Sequence, residues 1–187
     1  MPQLRFLEPH EVEKLLSVPH LRADTGLRNR VIMQLMAETG ARVGEVLALR
    51  PRDVLLSEQK VTIQRGKGGR TRVVYWHSEE LGMLLKRWKE RRPKSPLLFP
   101  TVRSESGKGK AIEPRSFRLQ FARYVEAAEI PKWVTPHVLR HSFATSFLNR
   151  GGNIRTLQLI LGHSSLAVTE QYLHVTDKDV AVAMRGY

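Results

Sequence analysis

Apolar positions in this 187-residue chain fall at helical spacing almost throughout and alternate with polar ones in one short stretch. After Glu8 and Pro9, Val12, Leu15 and Leu16 mark a first amphipathic helix. Val31, Ile32, Leu35 and Met36 mark a second over about 27–38, which Gly40 is placed to terminate. A short helix is expected over 43–49, before Pro51. Residues 60–65 and 71–76 then read as two strands flanking Gly66-Lys67-Gly68-Gly69-Arg70, a hairpin with a glycine-rich, basic turn. A third short strand is expected near 53–56. Leu81, Leu84, Leu85 and Trp88 mark a helix over 78–91, while 92–111, rich in Pro, Ser, Gly and Lys, reads as loop. Helices resume over 113–128, 135–149, 154–161 and 166–172, with a last turn or two at 177–184. The pattern predicts a mainly α chain with a small antiparallel β-sheet (α+β), folded as one compact domain over 1–187.

Composition narrows the class. Lys and Arg total 31 against 18 Asp and Glu, a formal charge of +13, on a chain that is 41% hydrophobic. The hydrophobic share excludes a disordered basic tail, and the charge points to a polyanion, most often nucleic acid. With no cysteine there is neither a disulfide framework nor a thiolate metal site. No apolar run approaches the ~18 residues of a membrane span, and the first residues lack the layout of a signal peptide. The cytoplasm is the expected compartment.

Candidate chemistry concentrates in the last third. Thr135 and Pro136 suit an N-cap and a first helical position, which places His137 and Arg140 three residues apart on one helix face. An arginine fork there can hold two phosphate oxygens, and an imidazole can donate to one or move a proton. His141 is expected on another face, without a role. Leu161-Gly162-His163 ends a helical pattern, with His163 expected to cap the next helix, and Tyr172 follows nine residues later. Upstream, Arg42 precedes Glu45 by one turn, and Lys67 sits in the hairpin turn between Arg65 and Arg70. Each feature has a plain reading by itself: a solvated His–Arg pair, a surface Arg42–Glu45 pair, an exposed turn lysine, a core histidine, a core tyrosine. Tyr75, Tyr124 and Tyr187 are expected in the core or an interface.

Taken in order, Arg42, Lys67, His137-x-x-Arg140, Leu161-Gly162-His163 and Tyr172 resemble the catalytic domain of the tyrosine recombinases, the phage-integrase and Xer-like family. The resemblance spans nearly the whole chain. It implies that Arg42 and Arg140 hold the scissile phosphate, that Glu45 supports them, and that His163 donates to a phosphate oxygen. It gives Lys67 the role of acid at the leaving 5′ oxygen; Arg65 and Arg70, which flank it, compete for the place of the reaching cation and are expected to contact DNA. Tyr172 becomes the nucleophile, forming a 3′-phosphotyrosine. A phenol is a weak nucleophile at neutral pH, and the cationic cluster is what makes it competent. No metal and no cofactor are expected: retained ester energy removes the need for ATP, and neither a Walker nor an H-E-x-x-H signature is present.

The implied partner is double-stranded DNA, with self-association into a tetrameric synapse, no membrane, and a nucleoid setting in a prokaryote, phage or plasmid. The catalytic-domain pattern starts within the first ten residues, so the family's separate N-terminal core-binding domain is expected to be absent from this chain, as in a fragment or a single-domain member. Two rival functions share the pattern: DNA relaxation by a type IB topoisomerase, and a non-catalytic DNA-binding regulator that retains the fold. The compact Leu-Arg-His-Ser-Phe-Ala-Thr and Leu-Gly-His motifs favour the recombinase over the first, and an intact residue set argues against the second.

Overall fold

The computed structural model describes residues 6–64, 71–102, 107–130, 134–163 and 169. Helix α1 (Pro9–Ser17) starts on a proline, and the Glu11 carboxylate accepts from the Glu8 amide at 2.8 Å. Helix α2 (Asp24–Thr39) begins three residues before the apolar pattern does and is the most buried element. It has no single apolar stripe, because it packs at once against α1 and against the helices Glu79–Arg91 and Pro136–Asn149. The polar residues this buries are all partnered. Arg28 bonds Asn29 and the Pro100 carbonyl, Arg30 bonds Gln34, the Leu16 carbonyl and Glu80, and Asn29 donates to the Tyr124 hydroxyl.

Helix α3 (Val43–Leu47) is two residues shorter than expected and is followed by a 3-10 turn at Pro51–Asp53. The expected third strand is β1 (Val54–Leu55), pairing antiparallel with β2 (Lys60–Ile63), which pairs in turn with β3 (Arg72–Tyr75). The register aligns Val54, Val61 and Val74 across the sheet, all buried against the helices. Tyr75, on the opposite face, is 63% exposed and does not belong to the core. The hairpin turn, with Arg65, Lys67 and Arg70, lies outside the described residues.

Ser78 caps α4 (Glu79–Arg91) by accepting from the Leu81 amide. The expected loop over 92–111 carries no helix or strand among its described residues, yet it buries Leu98 and Phe99 completely. Its backbone is pinned by Leu98 N donating to the Leu49 carbonyl at 2.7 Å and Trp88 Nε1 donating to the Leu98 carbonyl at 2.8 Å. Helices α5 (Pro114–Ala127), α6 (Pro136–Asn149) and α7 (Ile154–Leu161) close the described fold. Asn153 caps α7 through its side chain. Thr135 has the extended backbone of an N-cap on α6, but its hydroxyl makes no capping bond. The helices expected over 166–172 and 177–184 lie outside the described residues, Thr169 excepted. Among the described residues no helix is long and apolar enough to cross a membrane.

Candidate active site

Helices α2 and α7 both end on a glycine in the left-handed region, Gly40 and Gly162, each at φ 64°. These two ends meet through Arg140. The Arg140 side chain enters from α6, is 1% exposed, and donates to the Gly40 carbonyl at 2.7 Å and the Leu161 carbonyl at 2.9 Å. Its guanidinium therefore occupies the negative ends of two helices, where a cation is favoured. Arg140 Nη2 also lies 2.8 Å from His163 Nε2. A guanidinium has no acceptor, so His163 Nε2 accepts, leaving Nδ1–H to donate to Thr169 Oγ1 at 3.0 Å. In this state His163 orients Arg140 and has no Nε2 proton to offer an anion. The start of the helix that His163 is expected to cap lies outside the described residues; the His163 side chain itself bridges Arg140 and Thr169.

Arg42 lies two residues beyond Gly40, at the N-cap of α3. The Glu45 carboxylate accepts from the Arg42 amide at 2.8 Å and from Arg42 Nη1 at 3.3 Å. Arg72 of β3 grips the same carboxylate with both nitrogens, Nη1 at 2.9 Å and Nη2 at 2.8 Å, while its Nε donates to the Ile160 carbonyl at 2.6 Å. Burial alone would raise the Glu45 pKa. The Arg72 hydrogen bonds, the Arg42 amide and both guanidinium charges outweigh it and bring the carboxyl down to about 2. Glu45 is thus an anion at any working pH, held mainly by Arg72.

Arg42, Arg140, His137, Glu45, Gln64 and Arg118 line one open cavity of about 780 Å³ between α3, α5 and α6. Burial pushes the His137 imidazole below its ordinary value, and the charges of Arg140 and Arg42 add to the shift. A neutral imidazole beside two guanidiniums suits proton transfer at neutral pH. His141 does not lie on another face. One turn beyond His137, its ring stands edge-on to that of His137, with centroids 4.5 Å apart. Burial, then the neighbouring His137 and Arg140 charges, take it down to about 4. A spacing of four residues on a helix is the signal that identifies this neighbour.

Five of the expected site residues, Arg42, Glu45, His137, Arg140 and His163, are therefore brought together. Lys67, Tyr172, Arg65 and Arg70 lie outside the described residues. Among the described residues no group of three or more His, Cys, Asp or Glu side chains is placed to hold a metal.

The sequence profile of the phage integrase family matches residues 5–179. The chain belongs to that family. Tyrosine recombinase XerD of Ralstonia nicotianae is 35% identical over 177 residues, which is 91% of this integrase-family chain and 56% of the relative. The catalytic domain of bacteriophage HP1 integrase superposes with a TM-score of 0.64 at 29% identity, over 97% of this chain and 94% of that one. The XerH site-specific recombinase bound to difH substrate, a pre-cleavage complex, superposes at 0.79 with 29% identity, over 97% of this chain and 54% of the other. The chain thus spans a little over half the length of the curated relatives it matches, and its fold is the mainly helical one, with a small antiparallel sheet, of a tyrosine recombinase catalytic domain. Two residues of this integrase site escaped the sequence reading. Arg72 sits in a strand register that reads as ordinary alternation, and Arg118 is one of several arginines on α5; only the tertiary fold distinguishes either.

Proposed function

We propose that this domain cuts and rejoins DNA strands by transesterification at the cavity between α3, α5 and α6. The observation that carries the reading is the convergence of Arg42, Arg140 and a neutral His137 on one open cavity, with Arg140 fixed by two helix ends and His163. A phosphodiester under attack gathers charge on its non-bridging oxygens. Two guanidinium forks held in place beforehand stabilise that charge without reorganising. Tyr172 attacks the scissile phosphorus and becomes esterified to the 3′ phosphate, while the 5′ oxygen leaves and takes a proton from Lys67. His137, which burial holds toward the neutral form, accepts the phenolic proton. One phosphoester is exchanged for another, so the reverse step reseals the strand without an energy source.

Double-stranded DNA is the substrate in this reading, four protomers assemble on two sites, and the work is done at the nucleoid. The DNA-bound relative and the +13 charge support the choice of partner. The test is covalent attachment. Incubation with duplex DNA carrying a cognate site should give an SDS-resistant protein–DNA adduct, and Tyr172→Phe should abolish the adduct while binding persists. An adduct of undiminished yield from Tyr172→Phe would place the nucleophile elsewhere.

A further inference from the structure

We infer that Arg72 is a positioning residue that sequesters the Glu45 carboxylate and so keeps the Arg42 guanidinium available to a phosphate. The inference rests on reading the cavity as a phosphate site. Glu45 is one turn from Arg42, and a carboxylate at that spacing normally closes on the arginine as a full ion pair. Here that pair is made through one long contact only. Both Glu45 oxygens are held by Arg72 at 2.9 and 2.8 Å, and the single side-chain contact to Arg42 is the longer one, at 3.3 Å. The Arg72 side chain is only 9% exposed, against 40% for Arg42. The buried guanidinium thus neutralises the carboxylate, and the one facing the cavity keeps its charge.

Local charge makes the argument testable. Arg42, Arg72 and Glu45 together carry one net positive charge. Without the Arg72 guanidinium, Glu45 and Arg42 cancel, and the released carboxylate competes with any phosphate for the same fork. Removing the Glu45 charge as well restores one positive charge. A glutamine at position 45 still offers an oxygen to the Arg42 amide, so the start of α3 keeps its cap. A purely structural role for Arg72 predicts the reverse: two losses that add.

The probe is inorganic phosphate, titrated into the folded domain while the Arg42 and Arg140 Nε–H resonances are followed. Arg72→Gln should weaken phosphate binding about tenfold, the scale of one unit charge a few ångströms away at a partly solvated site. Arg72→Gln combined with Glu45→Gln should recover part of that affinity, the remainder being the lost bond to the Ile160 carbonyl. A double variant as weak as Arg72→Gln or weaker, at matched thermal stability, overturns the inference, as does an Arg72→Gln protein with unchanged affinity. Rates of covalent attachment to DNA should follow the same order. Phosphate binding in that order without any adduct from the wild-type protein would remove the strand-transfer reading and leave the sequestration in place.

Discussion

Arg140 combines two tasks that are usually separate. Its side chain closes the ends of α2 and α7, and it faces the cavity where charge must be met. Lysine can do neither well, because one ammonium cannot reach two carbonyls and a phosphate in a single plane. Arg140→Lys and Arg42→Lys should each lower the rate of adduct formation by about 10²-fold or more, measured as single-turnover cleavage. Arg140→Lys should also lower the melting temperature, whereas Arg42→Lys, on a half-exposed side chain, should not. His141 carries a separate pH dependence. Its pKa falls from 6.5 to about 4 on folding, so between those values the unfolded chain binds the extra proton. Stability is then fully present above about pH 6.5 and declines as pH falls toward 4. His141→Gln should flatten the melting temperature over that window. Glu45, depressed from 4.5 to about 2, contributes in a lower window: its stabilisation is present above 4.5 and lost as pH falls through about 2.

At the scale of elements, Gly40 shows how a helix end positions a site. Its φ of 64° already disfavours any other residue, and an added Cβ would lie 2.6 Å from Phe143 and 2.7 Å from Leu161. Gly40→Ala should cost about 1–3 kcal/mol in denaturant unfolding and slow cleavage through the displaced acceptor of Arg140. Gly44 meets nothing within 4 Å, and Gly44→Ala should leave unfolding within a few tenths of a kcal/mol of wild type or slightly better. The sequence made Gly40 visible as a helix stop because it follows a 3.6-residue pattern that ceases there. It also located β1–β3 and the core of every described helix to within a few residues. It missed the early start of α2, whose first residues, Asp24 and Thr25, are polar and not buried and so add nothing to an apolar period. The anchoring of Leu98 and Phe99 was likewise invisible, since composition there says only loop. His141, expected on another face, shares the face of His137 because the two are four residues apart on one helix.

Across the whole molecule, the excess of cations sets what the proposed contact with DNA should look like. Each phosphate contact contributes about −0.9 to the slope of log K against log salt, and a domain on one face of a duplex makes roughly five to eight contacts, giving a slope near −5 to −7. Fluorescence titration of the isolated chain with duplex DNA at several salt concentrations checks this. A slope near zero would contradict an interface built on phosphates. The family was legible at this scale because Arg42, His137, Arg140 and His163 follow one another in the order its motifs have. How they are held was not, because Arg72 reaches Glu45 across 27 residues and Ile160 across 88. No local pattern records such distances.

Those same separations govern when the site comes into being. The bond from Arg140 to Gly40 spans 100 residues and the bond from Arg72 to Ile160 spans 88, so neither can form until large loops have closed. A chain emerging N-terminus first has Arg42 in place long before the α7 carbonyls and His163 exist to lock the second arginine. The arrangement of Arg42, Arg140 and His163 is therefore among the last features to assemble, and a partly made or partly unfolded chain carries the positive charge without that geometry.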